Sequence, residues 1–199
     1  AIIDFRDPKE VKMAPDNLSP KLQNRYINLP ISASTLSRMV SQKQINGDNI
    51  KSYEEVMEES YRMYINDHKK VWIKFFEILL RSNKRPIIFH CSAGKDRTGI
   101  ASFMIQSIFN NHIDKIFENY LISNDLLTIK AATAEQKTNS SKQDTQVTKN
   151  MLSTLGKVQT SYLNAAIDEI EKKYISLENY FISQLGLKHN DIQKIHKIF

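Results

Sequence analysis

The chain has 199 residues, 41% of them apolar, enough for one buried core and a single domain. Its 28 Lys and Arg against 22 Asp and Glu leave a formal charge of +6, which suits an acidic partner but is too mild and dispersed to argue for nucleic acid. Cys91 is the only cysteine, which excludes an internal disulfide and a multi-cysteine zinc site, and no apolar run reaches the roughly 20 residues of a membrane span.

The chain opens on Ala1 inside an apolar run, with no initiator methionine and no charged-then-apolar leader. An upstream segment is therefore expected to be missing from it, and its compartment stays open between cytoplasmic and secreted. The runs "AIIDF" (1–5), "YINLPI" (26–31) and "PIIFHC" (86–91) are short, apolar and rich in isoleucine, and they predict three buried strands. Between Tyr53 and Ser82, Val56, Met63, Val71, Phe75 and Leu79 recur at helical spacing, predicting one long helix or two broken around Asn66 to His68. The stretch 98–111 is apolar nearly all round and predicts a buried helix, followed by another over "IDKIFENYLIS" (113–123). Residues 131–150 carry almost no large apolar side chain and are expected to form a polar loop or lid, or a marginal surface helix. Three further helices are predicted over 161–174, 177–186, where Gly186 gives the stop, and 190–199. Strands early and helices late predict an α/β fold.

The chemistry concentrates in "HCSAGKDRTG", residues 90–99. A strand, a tight loop and a buried helix in succession bring loop amides together at a helix N-terminus, where partial positive charge favours an anion such as phosphate. Such donors stabilise thiolate over thiol, so Cys91 is a candidate nucleophile. Arg97 closes the loop, and its planar fork suits two phosphate oxygens during in-line transfer. Thr98 is placed to donate a hydroxyl hydrogen bond to the sulfur, Gly94 and Gly99 allow turns that a Cβ would obstruct, and His90 is expected to brace the loop. The amides of Ser92, Ala93, Gly94 and Lys95 complete the predicted phosphate cradle.

This loop resembles that of the Cys-X5-Arg phosphatases, in particular the tyrosine-phosphatase-like family with His-Cys-x-Ala-Gly-Lys-Asp-Arg-Thr-Gly. "IIDFRDPKEV" resembles that family's Ile-Asp-Leu-Arg-x-x-x-Glu strand, "ENYLISN" its Asp-Tyr-Leu-Leu-Ser-Asn helix, and 161–187 its C-terminal helices. Asn119 stands where the family's helix has aspartate. The family's further N-terminal segment, with its Asn-Phe-Arg-Asp element and Arg-Ser pair, has no counterpart here. The resemblance implies a protein-tyrosine-phosphatase-like fold over 1–199, with a small, mostly parallel central sheet flanked by helices and a helical C-terminal half. It implies phosphate-monoester hydrolysis through a phosphocysteine, on phosphorylated proteins or phosphoinositides. It also implies that Asp96 is the general acid, against the alternatives that Asp96 braces the loop and that Asp48 in the "NGDN" stretch donates the proton. Lys95 is shared with inositol-lipid phosphatases, which implies a wider positive bowl, against a solvated surface lysine. Asp4 and Arg6, at the end of a predicted strand, are expected near the loop, where Asp4 steadies Lys95 or Arg97 or forms a purely structural ion pair.

A nucleotide-binding Walker loop fails, because Phe89 stands where it needs glycine and Asp96 where it needs Ser or Thr. The histidines at 68, 90, 112, 189 and 196 show no metal-ligand spacing, so no metal and no cofactor are expected. Two other classes stay open: a sulfurtransferase, and a phosphate-binding module without turnover. No oligomeric state follows from the sequence.

Overall fold

The computed structural model describes residues 1–32, 53–135 and 156–198, with only the backbone at 53 and 128–135. The three predicted strands form, as β1 (Ile2–Asp4), β2 (Tyr26–Asn28) and β3 (Ile88–His90). They make one parallel sheet in the order β2-β1-β3, with Ile3 opposite Ile27 on one side and Phe89 on the other. β1 is buried throughout, which is why it reads as a continuous apolar run rather than an alternating one.

Parallel neighbours require crossovers, and the β1–β2 crossover holds two short helices absent from the sequence expectation, α1 (Pro8–Met13) and α2 (Pro20–Gln23). Neither buries a residue, so no apolar periodicity announces them. α1 starts on a capping box: the Asp7 carboxylate accepts from the Lys9 amide, and Glu10 reaches back to the Asp7 amide.

The 53–82 segment is two helices, α3 (Tyr53–Asn66) and α4 (Lys69–Arg81), tied by the Trp72 indole N–H donating to the Tyr64 carbonyl at 2.7 Å. Trp72, Phe75, Phe76 and Leu79 form the buried stripe of α4. Phe5, just beyond β1, meets Trp72 and Phe75 with ring centroids 5.6 and 5.5 Å apart. The core thus sits directly beneath the end of β1.

α5 (Arg97–Ile108) follows the loop, and α6 (Ile113–Glu135) packs on it. α6 runs twelve residues past its predicted end at 123, so its backbone takes in 131–135 of the segment read as loop or lid; 136–150 lie outside the described residues. α7 (Thr160–Tyr174) packs along α3. The next predicted helix is a short α8 (Leu177–Asn179) and a π-helical turn (Tyr180–Gln184), closed by Gly186 at φ +70°. α9 (His189–Ile198) packs on α4 and α5. No described helix is long and apolar enough to cross a membrane.

Candidate active site

β3 ends at His90, and the Phe5 amide donating to the His90 carbonyl at 2.9 Å carries the β1–β3 pairing to the threshold of the loop. The chain then turns through 91–96 into α5. Gly94 has φ +74°, the left-handed region where a Cβ is strained. Cys91, Lys95 and Arg97 are buried, whereas Ser92, Ala93 and Gly94 form an exposed rim. Among the described residues, the amides of 92–97 donate to no backbone carbonyl. Six donors at one helix N-terminus are thereby left for an anion.

Arg97 is held from several directions. Its Nη1 and Nη2 donate to the two Glu10 oxygens at 2.6 and 2.8 Å, and Nη1 also reaches the carbonyls of Phe5 and Ile31 at 3.3 and 3.1 Å. Nη2 lies 3.3 Å from the Ser92 hydroxyl, which itself donates to Glu10. Burial pulls the guanidinium down, but the Glu10 hydrogen bond and the Cys91 charge outweigh it and hold its pKa above the ordinary arginine value. Glu10, the last acidic residue of the "IIDFRDPKEV" stretch, is thus a site residue, joined to Arg97 only by the fold.

Burial pushes the Glu10 carboxyl up, but Arg97, Ser92 and the Asp7 amide together bring it down to about 2 from its ordinary 4.5. A carboxylate depressed in the folded state stabilises it fully above its unfolded value and loses that contribution as pH falls through the folded value. The Glu10 contribution is therefore complete above pH 4.5 and disappears towards about pH 2. Glu10→Gln is expected to lower the thermal midpoint at neutral pH and to flatten the acid loss across that window. Unfolding scans of both proteins as a function of pH check this; parallel curves contradict it.

Asp96 accepts from Lys95 Nζ at 3.0 Å and from the Tyr61 hydroxyl at 2.9 Å. Lys95 is not a solvated surface lysine: its side chain is 5% exposed, and its ammonium faces both Asp96 oxygens and lies 3.5 Å from the Lys157 carbonyl. The predicted hydroxyl bond from Thr98 to the sulfur does not form, and Thr98 Oγ1 is buried without a hydrogen-bond partner. Asp48 lies outside the described residues.

Asp4 reaches neither Lys95 nor Arg97. Its carboxylate takes the Arg6 guanidinium at 2.8–3.0 Å and the Tyr26 hydroxyl at 2.7 Å. Burial pushes Asp4 up, but these bonds more than offset it and leave it below its ordinary value. Arg6 also binds Asp16 at 2.8 Å and the Ala14 carbonyl at 2.7 Å. The cluster meets the loop through His90, whose Nε2 lies 3.2 Å from Asp16 and whose Nδ1 lies 3.2 Å from the Cys91 carbonyl. Asp4, Asp16 and His90 converge within 4.8 Å, but the Arg6 cation already occupies both carboxylates, which makes the cluster unsuited to a metal ion.

A family model described as the tyrosine phosphatase family matches residues 1–199. The chain belongs to the tyrosine phosphatase family. A Cupriavidus necator protein, whose own name marks its tyrosine-protein phosphatase assignment as provisional, is 24% identical over 179 residues, 90% of this chain and 63% of that one. The triple specificity protein phosphatase PtpB of Mycobacterium tuberculosis is 28% identical over 180 residues, covering 83% of this chain and 64% of that one. The inositol diphosphatase of Saccharomyces cerevisiae is 32% identical over 71 residues, 36% of this chain and 25% of that one. The chain spans less than two thirds of the length of the curated relatives it matches. Within this tyrosine phosphatase family domain, the loop motif coincides with the strand–loop–helix junction.

Proposed function

We propose that this domain hydrolyses phosphate monoesters through Cys91, with tyrosine-phosphorylated protein as the substrate class. The observation that carries the reading is the pairing of a buried Cys91 with the six unused amides of 92–97 and the fork of Arg97 at one helix N-terminus. The amides and Arg97 hold the phosphate oxygens, and the Cys91 sulfur attacks phosphorus in line with the leaving oxygen. An S–P bond forms as the P–O bond breaks, and Asp96 gives its proton to the departing oxygen. Water then attacks phosphorus, returns a proton to Asp96, releases phosphate and restores the sulfur.

Phosphoinositides are a second substrate reading, favoured by the inositol diphosphatase among the relatives. Tyrosine phosphatase is the description of the family model and of two of the relatives, and Lys95 already faces a protein carboxylate, so phosphoprotein stands first. Family membership weighs against the sulfurtransferase and the turnover-free binding module.

Asp96→Asn is expected to slow phosphotyrosine-peptide turnover by about 10²- to 10⁴-fold, and an activated aryl phosphate far less, because a good leaving group departs without a proton. Equal losses on both esters, together with weaker vanadate binding, would make Asp96 a loop brace.

A further inference from the structure

Asp96 stands at the N-cap of α5, where an aspartate ordinarily turns inward to accept from the first helical amides. Here its side chain makes no cap bond. The carboxylate is drawn out by Lys95 and by Tyr61, whose hydroxyl comes from α3, thirty-five residues away in sequence. The turn outward leaves the helix amides to the phosphate and the carboxylate at the loop.

Tyr61 does not act alone. Its hydroxyl lies 2.6 Å from that of Tyr120, on α6. A carboxylate only accepts, so Tyr61 spends its proton on Asp96, and its oxygen receives the proton of Tyr120. The order is Tyr120 to Tyr61 to Asp96. Both rings are buried, Tyr61 completely, and burial pushes both phenols well above their ordinary value, which keeps them neutral donors. The rings meet edge to face at 6.3 Å, and Tyr162 of α7 packs on Tyr61 at 5.8 Å.

The final glycine of the loop motif completes the arrangement. A Cβ at Gly99 would come within 3.0 and 3.1 Å of the Tyr120 ring, tighter than carbons ordinarily pack, so the ring would have to give by a few tenths of an ångström and Gly99 lets Tyr120 sit where it does. The loop motif and the "ENYLISN" helix thus meet at one contact. A hydrogen bond from a buried hydroxyl to a charged group is among the stronger kinds.

We propose that Tyr61 and Tyr120 form a buried hydroxyl relay that positions the Asp96 carboxyl towards the leaving group. They are positioning residues, acting only through Asp96, and the inference rests on the reading of Asp96 as the general acid. The test is a double-mutant cycle in the intact chain with Tyr61→Phe, Asp96→Asn and both together. The readouts are turnover of a phosphotyrosine peptide and of an activated aryl phosphate, vanadate affinity and the thermal midpoint. Tyr61→Phe is expected to lower kcat on the peptide about 10- to 100-fold, the worth of one hydrogen bond to a charged group. KM, vanadate affinity and turnover of the activated ester should change little. In the Asp96→Asn background the same substitution should cost no more than about twofold, the margin of independent sites.

Tyr120→Phe, which removes only the outer hydroxyl, should show the same pattern more weakly. It decides the matter by the same comparison if Tyr61→Phe does not fold. The relay is overturned if Tyr61→Phe slows both esters alike or multiplies the Asp96→Asn loss. If Asp96→Asn itself fails to discriminate between leaving groups, the reading of Asp96 fails and the relay with it. If Asp96→Asn discriminates and neither tyrosine variant does, the relay alone fails.

Discussion

Replacing Cys91 with serine is expected to abolish turnover of every phosphate ester while leaving ester and vanadate binding in place. The serine hydroxyl fits the same buried site, and the six loop amides and Arg97 are untouched, so the cradle survives. What is lost is the nucleophile: a hydroxyl with no general base beside it is a far weaker attacker at neutral pH than a thiolate. Removing the group that forms the covalent intermediate costs on the order of 10⁶-fold in a well-studied covalent hydrolase. Steady-state assays paired with calorimetric binding of a phosphotyrosine peptide check this. Substantial residual turnover would mean that water attacks phosphorus directly.

Arg97→Lys is the second large effect and separates charge from shape. Lysine keeps the positive charge but has no fork, so it cannot hold Glu10 with one edge and phosphate oxygens with the rest. The native guanidinium is fixed by Glu10 and by the Phe5 and Ile31 carbonyls. Lysine would leave several of these acceptors unpaired in a buried setting. An arginine that stabilises phosphoryl transfer is worth about 10³- to 10⁵-fold, and the lysine variant should lose at least the lower figure in kcat/KM. Its vanadate affinity should fall as well, which distinguishes it from Cys91→Ser. A loss of less than tenfold would show that net charge, not the fork, does the stabilising.

The parts of the fold that could be read ahead are those whose signal is local. β3, the loop and α5 follow one another in sequence, and the change from a β run to an all-round apolar helix marks the junction. α1 escaped because it buries nothing, although its Asp-Pro-x-Glu start is a capping signal. Glu10 at Arg97 spans 87 positions, and the contact exists only because β1 lies beside β3. Tyr61 at Asp96 spans 35 and depends on how α3 packs. The burial of Lys95 is not legible in the sequence, because it depends on the segment that brings the Lys157 carbonyl, 62 residues on, to its ammonium. Thr98 at the end of the motif suggests a bond to sulfur, yet in the fold its buried hydroxyl has no hydrogen-bond partner.

The central claim is that phosphate passes through Cys91. Rapid-quench peptide mass spectrometry during turnover of an activated aryl phosphate tests it most directly, since a fast-departing leaving group lets the second, hydrolytic step accumulate the intermediate. The expected result is a phosphate adduct on the peptide carrying Cys91, rising within the first turnover and vanishing as substrate is exhausted. Turnover with Cys91 unmodified at every time point, or phosphate found on another side chain, would contradict the mechanism.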